Sequence, residues 1–148
     1  DKSGDTLVKR LTEAGNYLVE KRIVKDELAL LKNVLKEWID SSKVDVVIAT
    51  GGTGVTGRDV TPEAFESFYE KTIPGFGELF RWLSYQNIKT STIQSRATAG
   101  VANGTFLFAL PGSTGACKDA WDMIIVHQLD STHKPCNLVE LMPRLMET

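Results

Sequence analysis

The fold turns on the stretch Val44–Asp59, VDVVIATGGTGVTGRD. Its first part, Val44–Thr50, is nearly all apolar, the pattern of a strand covered on both faces. Gly51, Gly52, Gly54 and Gly57 follow at once. Glycine lets backbone turn sharply and approach a ligand closely, and the amides of such a loop suit an anion. Thr61-Pro62-Glu63 then reads as a helix start, with a capping residue, proline at the first position and an acid after it.

The order strand, glycine loop, helix occurs again. Thr105–Leu110, TFLFAL, is a second buried strand, Pro111-Gly112-Ser113-Thr114 follows it, and a long helix is predicted from Ala116 to Leu129. If the two strands run parallel, both loops lie at the carboxyl edge of the sheet, where open α/β sheets bind ligands. The loops then either wall one anion pocket from two sides or are tight turns and nothing more.

Elsewhere, Leu7, Val8, Leu11 and Ala14 mark a helical stripe that Gly15 stops, with Ser3 or Asp5 as its cap. Tyr17–Val24, rich in β-branched residues, predicts a strand. A helix beginning at Asp26 places Leu28, Leu31, Leu35, Trp38 and Ile39 on one face. Phe65, Phe68 and Tyr69 line the helix after the glycine loop, and Leu79, Phe80 and Leu83 predict another. Ile88–Arg96 is ambiguous, with a short strand as one reading, and the tail after Leu129 is mostly irregular. Strands that alternate with helices predict a three-layer α/β/α fold on a mainly parallel sheet. Residues 1–148 are expected to form one domain.

Composition narrows the function. A chain of 148 residues that is 42% hydrophobic can bury one substantial core. No segment approaches the ~18 consecutive apolar residues of a membrane span. No signal-peptide pattern is present, so a cytoplasmic location is expected. The formal charge of −2, with acids and bases interspersed, argues against a broad nucleic-acid surface. Cys117 and Cys136 form no zinc or disulfide framework, and His127 and His133 add no metal-ligand spacing.

Two phosphate fingerprints nearly fit the first loop. Gly52, Gly54 and Gly57 match the dinucleotide motif, but the helix begins only near Thr61, and Glu78, at the distance of the ribose-binding acid, falls in a helix. Gly52 and Gly57 also have P-loop spacing, but Arg58-Asp59 stands where lysine and serine or threonine are needed. What remains is an anion loop ending in an acid. A carboxylate beside phosphates is repulsive unless a cation lies between them, so Asp59 is a candidate Mg²⁺ ligand. The alternative pairs it with Arg58 or gives it to the helix start. Asp26 is a second candidate acid at the same edge, with helix capping as its alternative. Arg96 is either a counter-charge for an anionic ligand or part of a surface or inter-subunit ion pair. Cys117, at a helix start, reads as a packed structural cysteine, and core packing is expected of at least two of Phe76, Phe80 and Trp82.

Together, Ser3-Gly4-Asp5, VKDE (Val24–Glu27), TGGTGVTGRDVTPEA (Thr50–Ala64), PGFGELFRWLS (Pro74–Ser84), QSRATAGVANGT (Gln94–Thr105) and ALPGSTGAC (Ala109–Cys117) resemble the MoaB/Mog family of molybdenum cofactor biosynthesis. QSRA, PGSTGAC and the QLD and PCN stretches of the tail are more similar to its MoaB branch. The resemblance implies a molybdopterin-binding fold that assembles as trimers or hexamers, with a strand and loop ahead of Ser3-Gly4-Asp5. It implies Mg²⁺-dependent transfer of AMP from ATP to the terminal phosphate of molybdopterin, with a metal-insertion protein as a later partner. The family's two important acids fall on Asp26 and Asp59. Its phosphate- and pterin-contacting loop falls on Gly51, Gly52, Thr53 and Gly54, and its pocket also takes in Ser3, Gly4 and Asp5 and Pro111, Gly112 and Ser113. The alternative is an oligomer of the same pathway that binds molybdopterin or a related pterin without transferring AMP.

Overall fold

The strand Thr105–Leu110 (β4) is buried at every position and organises the computed structural model, which describes residues 1–148. Its side chains alternate between two cores, as a strand covered on both faces requires. Phe106, Phe108 and Leu110 point to one side, where they meet Leu7, Phe76, Phe80, Cys117, Trp121 and Ile125. Leu107 and Ala109 point to the other, against Leu35, Ile39, Ala64 and Phe65.

These contacts define the layers. Helices α1 (Lys2–Glu13), α4 (Pro74–Ile88) and α5 (Thr114–Ala120) cover the first face. Helices α2 (Leu28–Ile39) and α3 (Thr61–Glu66) cover the second. Between them lies a sheet of β1 (Val46–Thr50), β4, β3 (Thr98–Ala102) and β2 (Lys71–Thr72), in the order β1-β4-β3-β2. The expected three-layer α/β/α arrangement is present.

Parallel pairing is confined to the two strands that carry the glycine loops: β1 and β4 run side by side, with Thr50 opposite Leu110. β3 pairs antiparallel with β4, and β2 antiparallel with β3, so the sheet is mixed rather than mainly parallel. The reason is Asn103-Gly104. Both residues have positive φ, 48° and 78°, as a two-residue hairpin turn demands, and such a turn joins only antiparallel strands. β3 itself falls outside the sequence reading.

Three further expectations are corrected. Tyr17–Val24 forms no strand: the segment is irregular and joins no ladder, and Tyr17 and Ile23 are 87% and 81% exposed. β-branched composition does not make a strand where no partner lies alongside. The following helix starts at Leu28 rather than Asp26, with Glu27 at its cap position. Residues Lys89–Gln94 form a 3₁₀ helix, not a strand, after Lys89 closes α4 with φ 55°. The last long helix is present but divided, with a wide π turn at Trp121–Ile125 between α5 and α6 (Val126–Gln128). No helix is long and apolar enough to cross a membrane.

Candidate active site

The parallel pair sets the site. The amide of Gly51 donates to Leu110 O at 2.9 Å, and the Thr50 hydroxyl donates to Pro111 O at 2.8 Å. The loops after β1 and β4 are therefore fastened together at their origins. A β-carbon built at Gly112 would lie 3.4 Å from the Gly51 Cα. One cavity of about 310 Å³ opens between the loops, lined by Gly52, Thr53, Gly54 and Asp59 from the first and Pro111, Gly112 and Ser113 from the second.

Glycine is required at Gly52 on two counts. Its φ is +69°, and a β-carbon there would stand 2.4 Å from Thr61 Oγ1 and 3.4 Å from Asp26 Oδ1. The carbonyl of Gly52 accepts from the Thr61 amide, while the amides of Gly52, Thr53 and Gly54 have no acceptor in the chain. Those of Gly112 and Ser113 have none either. Ser113 caps α5 by accepting from the Ala116 amide at 3.2 Å. Two sets of outward amides and a helix start thus face one cavity, an arrangement suited to anionic oxygens.

Asp59 lines the cavity. Its Oδ2 accepts from the Thr56 amide at 3.1 Å and the Thr56 hydroxyl at 2.8 Å, which leaves Oδ1 available. Asp26 is exposed and lies beside Gly52, on the connection into α2 rather than at the end of a strand. The structure thus brings both acids to the glycine loop. No group of three or more His, Cys, Asp or Glu side chains is placed to cage a metal ion. Two carboxylates beside a loop of unpaired amides still suit Mg²⁺, which binds through one or two carboxylates while substrate phosphates and water complete its shell.

Ser3, Gly4 and Asp5 occupy the first turn of α1, and Asp1, not Ser3 or Asp5, caps the helix by accepting from the Gly4 amide. The Ser3 hydroxyl donates to Gly112 O at 2.7 Å, so α1 braces the second loop from behind. None of Ser3, Gly4 and Asp5 lines the cavity, and Asp5 pairs with Lys21 at 2.7 Å, which holds its carboxyl below the usual range. Cys117 is fully buried against Thr50 Oγ1 and Pro111 O, and burial pushes its thiol up, as expected of a structural cysteine. Phe76 and Phe80 are core residues, whereas Trp82 is 64% exposed.

Arg96 adopts the ion-pair alternative within the chain. Its guanidinium grips the Glu63 carboxylate in α3, which holds that acid below its usual range. The same group donates to Gly54 O at 2.8 Å and Asp59 O at 3.0 Å.

The far wall of the cavity was missed in the sequence. It comes from Phe80, Ser84 and Ile88 on α4 and from Ser91, Gln94 and Ser95 after it. The four-residue spacing of Phe80, Ser84 and Ile88 is a signal for one helix face. A second cavity, about 280 Å³, shares Ser95 but touches neither acid and neither glycine loop.

A three-layer α/β protein with paired anion loops at its parallel strand ends is the class that fold and site define. Comparison with known proteins narrows this. Residues 1–131 match the family described as "Probable molybdopterin binding domain". The chain is 50% identical over 137 residues to molybdenum cofactor biosynthesis protein B of Escherichia coli (strain K12), covering 93% of this chain and 81% of that protein. A crystal structure of molybdenum cofactor biosynthesis protein B superposes with a TM-score of 0.84 at 41% identity, covering 86% of this chain and 80% of the other. The tungsten cofactor synthesizing protein MoaB from Pyrococcus furiosus superposes with a TM-score of 0.77 at 39% identity, covering 84% and 79%. The chain belongs to the MoaB/Mog family of molybdenum cofactor biosynthesis proteins.

Proposed function

We propose that this chain transfers AMP from ATP to the terminal phosphate of molybdopterin, with Mg²⁺ required. The observation that carries the reading is the single cavity between two sets of unpaired backbone amides, with Asp59 in its wall and Asp26 beside Gly52. A terminal phosphate oxygen of molybdopterin forms a bond to the α-phosphorus of ATP. The bond from that phosphorus to the oxygen bridging to the β-phosphorus breaks, and pyrophosphate leaves. The attacking phosphate is largely ionised near neutral pH, its second pKa being about 6, so no strong base is needed from the protein.

The protein's task is to position two polyanions and meet the charge that develops between them. The amides of Gly52, Thr53 and Gly54 hold phosphate oxygens on one wall, and those of Gly112 and Ser113 hold them on the other. Asp59 and Asp26 are the residues that would hold Mg²⁺, which supplies the positive charge that makes carboxylates and phosphates compatible. Exposed Leu79, Trp82 and Tyr85 on α4 give an apolar surface for the trimer or hexamer we include in this reading.

Mass spectrometry of a mixture of protein, ATP, Mg²⁺ and molybdopterin tests the proposal. Adenylylated molybdopterin is the expected product. Molybdopterin recovered bound and unmodified would overturn transfer and leave the binding-only alternative.

A further inference from the structure

We infer that Arg96 is a positioning residue: its guanidinium fixes the Gly51–Asp59 loop at the Gly54 and Asp59 carbonyls, and through them Asp59, and lysine cannot replace it. Its kinetic consequences rest on the adenylyl-transfer reading; its structural consequences do not.

Arg96 ties down three carbonyls of one loop. Its backbone amide donates to Thr53 O at 2.8 Å, Nε to Gly54 O at 2.8 Å and Nη2 to Asp59 O at 3.0 Å. The loop's other internal bonds are few: the Asp59 amide to Thr56 O, the Thr56 contacts to the Asp59 carboxylate, and the Thr61 amide to Gly52 O. A trans peptide points its C=O and N–H in opposite directions. Holding Thr53 O toward the main-chain amide of position 96, a donor that lysine would keep, therefore turns the Gly54 N–H away from it. Holding Gly54 O does the same for the Val55 N–H. The conformation of the anion cradle is thus set from behind.

Charge excludes the simpler role. Glu63 neutralises the guanidinium through contacts from Nη1 and Nη2, the latter at 3.2 Å. A neutralised arginine whose nitrogens already serve backbone carbonyls is a poor counter-ion for substrate. It is a suitable brace, because the planar fork of five donors reaches Gly54 O, Asp59 O and both Glu63 oxygens at once. The three donors of lysine radiate from a single nitrogen and cannot span those acceptors.

The test uses Arg96→Lys, with Glu63→Gln as a second variant that leaves the carbonyl contacts intact. Without any ligand, amide hydrogen exchange is measured at Thr56, Asp59 and position 96. Arg96→Lys is expected to speed exchange at least tenfold at all three, with Glu63→Gln at least tenfold closer to wild type. With substrates, Arg96→Lys is expected to lower kcat by about 10²-fold and to raise the Mg²⁺ concentration needed for half-maximal rate. Wild-type exchange in Arg96→Lys, or an equal loss in Glu63→Gln, would overturn the brace. Absence of turnover in the wild type would overturn the transferase reading alone, and the exchange measurements would still decide the role of Arg96.

Discussion

Gly54→Ala separates the placement of Asp59 from the folding of its loop. A β-carbon at Gly54 would lie 2.8 Å from Asp59 Oδ2 and 3.5 Å from its Cγ. Ordinary contact begins near 3.4 Å, so the oxygen must retreat by roughly 0.6 Å. That oxygen is the one held by the Thr56 amide and hydroxyl, so the retreat stretches or breaks both bonds. The steric cost to folding is small, because the obstacle is the end of a side chain at a half-exposed site and Gly54, unlike Gly52, does not need positive φ. Loss of the two bonds, at an exposed site, costs about 1–3 kcal/mol. The functional cost is larger, since misplacement of reacting groups by about 1 Å costs about 10²-fold in rate. The expected outcome is a cooperative melt within several degrees of wild type and a kcat lowered 10- to 100-fold. Calorimetry and initial rates of pyrophosphate release check it. A variant with wild-type kcat would refute the claim that the position of Asp59 matters, and an unfolded one would refute the claim that only its carboxylate is displaced.

Asp59→Ala and Asp26→Ala are each expected to cut adenylyl transfer by 10²-fold or more while molybdopterin binding survives, as read by initial rates and equilibrium binding. The Tyr69 hydroxyl is buried near Thr98 but makes no hydrogen bond of good geometry, and burial pushes its pKa up; Tyr69→Phe should be neutral or stabilising by up to about 1 kcal/mol in denaturant titration. Glu63 titrates below its ordinary range because Arg96 favours its charged form. Its contribution is therefore complete above about pH 4.3 and is lost as pH falls through the lower folded value. Acid titrations of unfolding free energy should show this step in wild type and lose it in Glu63→Gln. At neutral pH, iodoacetamide should modify exposed Cys136 and spare buried Cys117, read by peptide mass spectrometry.

The sequence was legible where backbone requirements leave few choices. Val44–Thr50 and Thr105–Leu110 are too apolar for a one-sided strand, and a glycine-bearing loop follows each. Those two facts place both loops of the site. The place of Asp59 at the cavity was legible because it closes the glycine loop. Non-local pairing was not legible. Tyr17–Val24 has strand composition but no neighbour, while Thr98–Ala102, made of small residues, becomes a buried strand because Asn103-Gly104 folds it onto β4. That dipeptide between two apolar runs was a usable signal. The α4 wall was hidden because Ser84 and Ile88 acquire meaning only once the helix is laid beside the loops. For Arg96 the sequence offered two roles, and only the acceptors around its guanidinium chose between them.

The most direct measurement is pyrophosphate release when molybdopterin is added to the protein with ATP and Mg²⁺. The account predicts stoichiometric pyrophosphate for the molybdopterin consumed, dependent on Mg²⁺ and lost in Asp59→Ala. No pyrophosphate, under conditions where an authentic molybdopterin adenylyltransferase turns over, would contradict it.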